Sequence, residues 1–225
     1  MVLWLYALTA EPPPEPAGLA GAAGERPRAV PCGGLQAVVG AMAAPLTVSE
    51  AALEAHDAVV RRLAAAADPL LPVRFGQWVA DEVELHRLLA PRAAALGAAL
   101  AQVAGCHQIT LRLLGREEAA GPPADPPPPA PEEAPAGPGT RYLLARRERS
   151  APPPEMVPVL DRLAPLVRAQ RLAPAPRPFA ATAYHLVERR RTEGYLAALA
   201  AATAAGPALT WSGPWPPWAF APELG

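Results

Sequence analysis

Between Gly115 and Gly139 the chain carries nine prolines, with Pro126, Pro127, Pro128 and Pro129 in an unbroken run. Proline fixes φ and donates no backbone hydrogen bond, so this run can neither continue a helix nor lie inside a sheet. Few large apolar side chains accompany it, and the surface it could bury does not offset the entropy of ordering it. The 115–139 segment therefore reads as a disordered or extended loop, a spacer rather than a docking peptide. What folds must do so on either side of it.

Of the 225 residues 51% are hydrophobic, but only 5 are Trp, 4 Tyr and 3 Phe, so the places where large rings cluster carry information. The length allows one large domain or two small ones. A net charge of -1 gives no overall attraction to nucleic acid or anionic lipid. No apolar run approaches the ~18 residues of a membrane span. The opening Met1-Val2-Leu3-Trp4-Leu5-Tyr6 lacks a basic leader and reads as a first strand, not a signal peptide. Cys32 and Cys106 make no disulfide framework and read as reduced thiols.

Local signals lay out the elements. Val2–Leu8 is a strand, and residues 9–27 are a loop. Two apolar runs flank Gly33-Gly34, which predicts a hairpin, with Pro31 placing its first strand at an edge or making it the strand's start. Thr47-Val48-Ser49-Glu50 has capping-box spacing, with Thr47 as N-cap. The helix after it places Leu53, His56, Val60 and Leu63 on one face. A second helix starts near Asp81 and Glu82 with a stripe of Leu85, Leu88, Leu89, Leu96, Ala99, Leu100 and Val103, interrupted near Pro91. Gln108–Leu114 is a strand, Thr140–Leu144 a helix, Glu155–Gln170 a helix and Phe179–Val187 a strand. Tyr195–Ala204 is a helix and Ala208–Ser212 a last strand. These readings give an α+β protein of two domains. Residues 1–104 form the N-terminal α+β domain. Residues 105–225 form a domain whose strand and helix order resembles a ferredoxin-like fold, with a Trp/Pro-rich tail at 213–225.

Most catalytic patterns are absent. There is no lysine for a phosphate loop and no Gly-x-Ser-x-Gly elbow. Cys106 and His107 are neighbours on a strand and point to opposite faces, which separates a nucleophile from its base. Glu82 and His86 are four apart on a helix but have no second ligand pair, so a solvated helix start is the better reading. His56 lies on an apolar stripe, as packed core histidines do. Arg189-Arg190-Arg191 is bracketed by Glu188 and Glu193 and reads as a balanced turn. No catalytic residue, cofactor or metal is expected.

Two segments stand out. Residues 211–220 hold Trp211, Trp215, Trp218 and Phe220, stiffened by three prolines. Rigid aromatic groups are typical interface anchors, yet such a tail can equally fold back and complete its own core. In Leu71–Gly76, Arg74 beside Phe75 reads as a partly buried cation that pairs with a carboxylate.

Leu71-Pro72-Val73-Arg74-Phe75-Gly76 resembles the L-P-x-R-F-G element of the GvpL/GvpF gas vesicle protein family. Gly213-Pro214-Trp215-Pro216-Pro217-Trp218-Ala219-Phe220 is similar to that family's C-terminal G-P-W-P-P-Y-x-F signature, with Trp218 in place of Tyr. The N-terminal strand, Gly33–Val39, Leu53–His56 and Tyr142-Leu143 fit in the same order. The proline-rich 115–139 segment and Gly105–Gln108 depart from the pattern. The resemblance implies a cytoplasmic and gas vesicle location. It implies an accessory or minor structural role that supports assembly of the gas vesicle. It further implies binding to the small hydrophobic shell protein GvpA and to other accessory proteins, with no enzymatic activity, no membrane and no nucleic acid partner. Arg74, Phe75, Trp215, Trp218 and Phe220 are the expected partner-binding residues, and deletion of 213–220 should abolish that binding while leaving a folded protein. The competing class is a small-molecule sensor or enzyme with a pocket between the two α+β domains.

Overall fold

The computed structural model describes residues 1–14, 18–115, 152–204 and 208–224. The proline-rich segment beyond Gly115 and the helix expected at Thr140–Leu144 lie outside the described residues. The remainder is an α+β protein with two antiparallel sheets.

The first sheet is built on β1 (Val2–Thr9), where every residue from Leu3 to Thr9 is buried. That follows from its composition, because Val-Leu-Trp-Leu-Tyr-Ala-Leu is continuously apolar rather than alternating, the pattern of a strand covered on both faces. The sheet order is β2-β3-β1-β4, with β5 also on β1. β2 (Arg28–Cys32) and β3 (Leu35–Met42) form the expected hairpin, closed by the Cys32–Leu35 pair. Its turn residues Gly33 and Gly34 have φ of +60° and +84°, which side chains with a Cβ adopt at a cost.

β4 (Leu70–Pro72) and β5 (Trp78–Val79) pair with the same side of β1. Ala7 pairs with Pro72 and Trp4 with Trp78. Only Leu5 and Tyr6 therefore lie opposite the five residues Val73–Gln77. The surplus is thrown out as a bulge, pinned at its ends by Val73 N–H to the Tyr6 carbonyl (2.8 Å) and Leu5 N–H to the Gln77 carbonyl (3.0 Å). Arg74-Phe75-Gly76 is the tip of that bulge.

Helix α1 (Glu50–Ala66) is capped by Ser49, whose hydroxyl accepts from Ala52 N–H, and not by Thr47. Its buried face is His56, Val59, Val60 and Leu63, while Leu53 is 45% exposed, so the stripe runs through Val59 instead of Leu53. Helix α2 (Glu82–Leu89) begins at the expected acids, with Asp81 accepting from Glu84 N–H. A 3₁₀ turn at Ala90–Arg92 holds Pro91 and leads into α3 (Ala93–Val103). Leu85, Leu89, Leu96, Leu100 and Val103 are buried as expected, whereas Leu88 and Ala99 are half-buried.

The second sheet has the order β7-β8-β6-β9. Its strands are β6 (Cys106–Leu114), β7 (Ala169–Pro174), β8 (Phe179–Glu188) and β9 (Leu209–Trp215). Helix α4 (Val157–Leu163) lies between β6 and β7 in the chain, and α5 (Thr192–Thr203) between β8 and β9. The helix expected over Glu155–Gln170 is shorter, because Pro165 tightens its end into a 3₁₀ turn and Ala169–Pro174 then becomes a strand.

The chain divides into two compact units. The first comprises Met1–Ile109, Leu186–Thr192 and Gly213–Gly225, the second Thr110–His185 and Glu193–Ser212. The first unit's core holds Trp4, Tyr6, Val38, Val59, Val60, Leu63 and Leu70, with Phe75 and Trp218 packed against it. The tail thus shares a unit with the N-terminal residues, whereas the sequence reading grouped it with 105–225. Gly213 makes that return possible. Its φ is +129°, and a Cβ there would lie 2.8 Å from the Gln108 carbonyl oxygen. A Gly213→Ala variant is expected to lose about 1–3 kcal/mol, read as a lowered denaturant midpoint. An unchanged midpoint would contradict the close approach.

Candidate functional site

The bulge and the tail meet around one buried imidazole. His56 is 2% exposed on α1. The Trp4 indole N–H donates to His56 Nδ1 at 3.0 Å. His56 Nε2 lies 2.9 Å from the Val73 carbonyl. An indole nitrogen only donates and a carbonyl only accepts, so the ring is the neutral tautomer with its proton on Nε2. Protonating Nδ1 would set two N–H groups against each other. Burial pushes the His56 pKa below its usual value, in agreement with that bonding. The imidazole therefore ties β1 to the backbone at the start of the bulge.

Rings enclose it. Tyr6 stacks on His56 at 5.2 Å between centroids and 27° between planes. Phe75 meets Trp4 edge-on at 4.9 Å and His56 at 5.7 Å. Trp218 tilts against His56 at 6.2 Å. Offset and edge-to-face pairs of this kind contribute roughly 0.5–1.5 kcal/mol each beyond their buried area. On the far side the Tyr6 hydroxyl donates to the Glu25 carboxylate and accepts Ala22 N–H at 2.8 Å, which clips the 18–27 loop to β1. Burial, reinforced by the bond to Glu25, raises the Tyr6 pKa and keeps the phenol protonated.

The five residues singled out from the sequence separate in space. Phe75 and Trp218 come together on His56. Arg74 pairs with Glu223 at 2.8 Å, so the bulge tip and the tail are joined by an ion pair. The sequence suggested a partly buried cation, but the side chain is 61% exposed, and such a pair contributes ~1 kcal/mol at most. Trp215 lies apart, its ring 4.2 Å from the Arg61 guanidinium carbon. Phe220 is 2% exposed and belongs to the core. Ala219 N–H donates to Gln108 Oε1 at 2.8 Å and fixes the tail's path. Sequence reasoning missed the partners Trp4, Glu25, Arg61 and Glu223, which carry no local signal. It also missed Trp78, which is 47% exposed on the short β5.

Other candidates resolve as structural groups. His185 is fully buried between Tyr195 and Gln170. Cys32 and Cys106 are both buried. Glu82 pairs with Arg28 and His86 faces Cys32 Sγ at 3.3 Å. No cluster of three or more metal-ligating side chains occurs among the described residues. No helix among them is long and apolar enough to cross a membrane.

This is the fold of the gas vesicle protein GvpF, as two solved structures make plain. The one from Microcystis aeruginosa superposes with a TM-score of 0.73 at 16% identity, over 98% of this chain and 99% of that one. The one from Anabaena sp. PCC7120 gives 0.74 at 18% identity, over 98% and 96%. The family model described as gas vesicle synthesis protein GvpL/GvpF matches residues 2–222. The chain belongs to the GvpL/GvpF family, and its role is related to gas vesicles. No curated protein matches it.

Proposed function

We propose that this protein is an accessory or minor structural protein that binds the hydrophobic gas vesicle shell subunit GvpA and supports assembly of the vesicle. The family match over residues 2–222 carries the reading. The convergence of the L-P-V-R-F-G bulge and the aromatic tail on His56 supports it, because it presents two family signatures on one unit. A shell subunit with an apolar face would aggregate before assembly, since exposed apolar patches and free strand edges associate. A protein offering half-buried rings beside a charged pair can cover that face and later release it. Arg74, Phe75, Trp215 and Trp218 are the proposed contact residues. Phe220 is left out because its side chain is interior. The protein acts in the cytoplasm and on the vesicle, with shell and accessory proteins as partners.

The second sheet is read as ferredoxin-like. What supports this is the chain order strand, helix, strand, strand, helix, strand, with the first and third strands central and the second and fourth at the edges. The site of function is argued from the residues and not from that fold.

The test is capture of purified shell subunit by the tagged full chain. Wild type is expected to retain it. Arg74→Glu reverses the charge at an exposed position, so it should reduce retention with little change in unfolding midpoint. Failure of the wild-type chain to retain the shell subunit would reject the reading.

A further inference from the structure

A second feature of the first unit lies away from the His56 cluster. A groove of about 270 Å³ is lined by Arg61, Asp68, His107, Arg189, Trp215 and Pro216, among others. This is below the ~300–1,000 Å³ usual for sites that hold drug-sized ligands, so its occupant is the size of a few side chains. Arg61 comes from α1 and Arg189 from the turn after β8. His107 comes from β6 and Trp215 from the end of β9.

The charges in the groove are unevenly matched. Asp68 accepts the Gly105 N–H through both carboxylate oxygens, at 2.8 and 3.1 Å. Arg189 lies at 4.0 Å from Asp68 and 3.4 Å from the Ala64 carbonyl, both at the long limit for such contacts. Arg61 uses Nε for Asp57, and its guanidinium carbon lies over the Trp215 ring. Both guanidinium groups remain about half exposed. Guanidinium N–H groups match a carboxylate in geometry and charge. Trp215, Pro216 and Pro217 form an apolar wall beside them.

We propose that this groove recognises a carboxylate side chain of a protein partner, held by Arg61 and Arg189, with an apolar neighbour of that residue lying on the Trp215 wall. Asp57 and Asp68 offset the charge of Arg61 and Arg189, so a carboxylate is recognised by guanidinium hydrogen-bond geometry rather than by net charge, and a phosphate dianion is disfavoured. The proposal rests on the binding-protein reading above and gives the partner a chemistry, an acidic residue flanked by an apolar one.

The experiment titrates the full chain with acetyl-Leu-Glu-amide, acetyl-Leu-Gln-amide and inorganic phosphate. It follows the arginine Nε–H and tryptophan indole N–H signals by NMR, with Arg61→Gln and Arg189→Gln providing the assignments. The expected result is saturable shifts at Arg61, Arg189 and Trp215 with the Glu probe. The Gln probe should bind at least about tenfold more weakly, a loss of about 1.4 kcal/mol. The double variant should lose the response, while Arg190→Gln, exposed on the same turn and paired with Glu188, should keep it. Equal binding of the Glu and Gln probes would overturn the proposal. So would saturation by phosphate at equal or lower concentration, or an unaltered response in the double variant. Shell-subunit capture separates the two layers. If wild type captures nothing, the binding-protein reading fails whatever the groove does. If wild type and the double variant capture equally, the groove proposal alone fails.

Discussion

Phe220→Ala is expected to cost about 3–5 kcal/mol of stability, the range for truncating a well-packed phenylalanine. Phe220 is 2% exposed, and Ala221 and Leu224 beyond it are also buried. The backbone around it is fixed as well, by Trp218 N–H to the Pro216 carbonyl, Phe220 N–H to the Pro217 carbonyl and Ala219 N–H to Gln108. Removing residues 213–220 should therefore unfold the first unit, in line with a tail that completes its own core and against the expectation that this deletion leaves a folded protein. Chemical denaturation of Phe220→Ala, with Arg74→Ala as the exposed comparison, checks this. Arg74→Ala should shift the midpoint little, because its partner Glu223 is 75% exposed. A Phe220→Ala variant within 1 kcal/mol of wild type would mean the tail is not core.

That outcome bears on what a sequence can show. The Gly33-Gly34 turn, the helix start near Asp81 and the break near Pro91 are all legible, because each is decided by a few neighbouring residues. The capping-box spacing to Glu50 points to Thr47 as the first helix's cap, whereas Ser49 holds that place. β5 is two residues long, and β7 has Leu172 as its one large apolar residue and ends in Pro174, so neither carries a periodic signal. The two family motifs could be read individually. Their meeting could not, because Trp4 and His56 are 52 residues apart and Arg74 and Glu223 are 149 apart. Which ring is interior is decided by the path of the tail, set at Gly213 and Gln108, and that is a tertiary fact.

Acidification should begin to destabilise the protein near pH 6.5, above the range in which carboxylates titrate. His185 is fully buried in the second unit, 2.9 Å from Gln170 Oε1 and 2.7 Å from the Tyr195 hydroxyl. The amide oxygen accepts, so Nε2 holds the proton and Nδ1 accepts from the phenol. Burial lowers the His185 pKa from 6.5 to about 4. Above pH 6.5 the imidazole is neutral in both folded and unfolded chains, and its full contribution to stability is present. Between 6.5 and about 4 the unfolded chain takes up a proton that the folded chain refuses, so stability falls as pH falls. At 1.36 kcal/mol per pH unit the loss reaches about 3 kcal/mol near pH 4 and then levels off. His56 and His107 are also depressed by burial, His107 further by Arg189, and they add to the loss in the same direction. The measurement is unfolding free energy against pH from 7.5 to 4, for wild type and His185→Gln. The variant should be less stable at pH 7.5 yet show a shallower slope, by about one proton. Parallel slopes would mean that His185 titrates normally and is not enclosed as described.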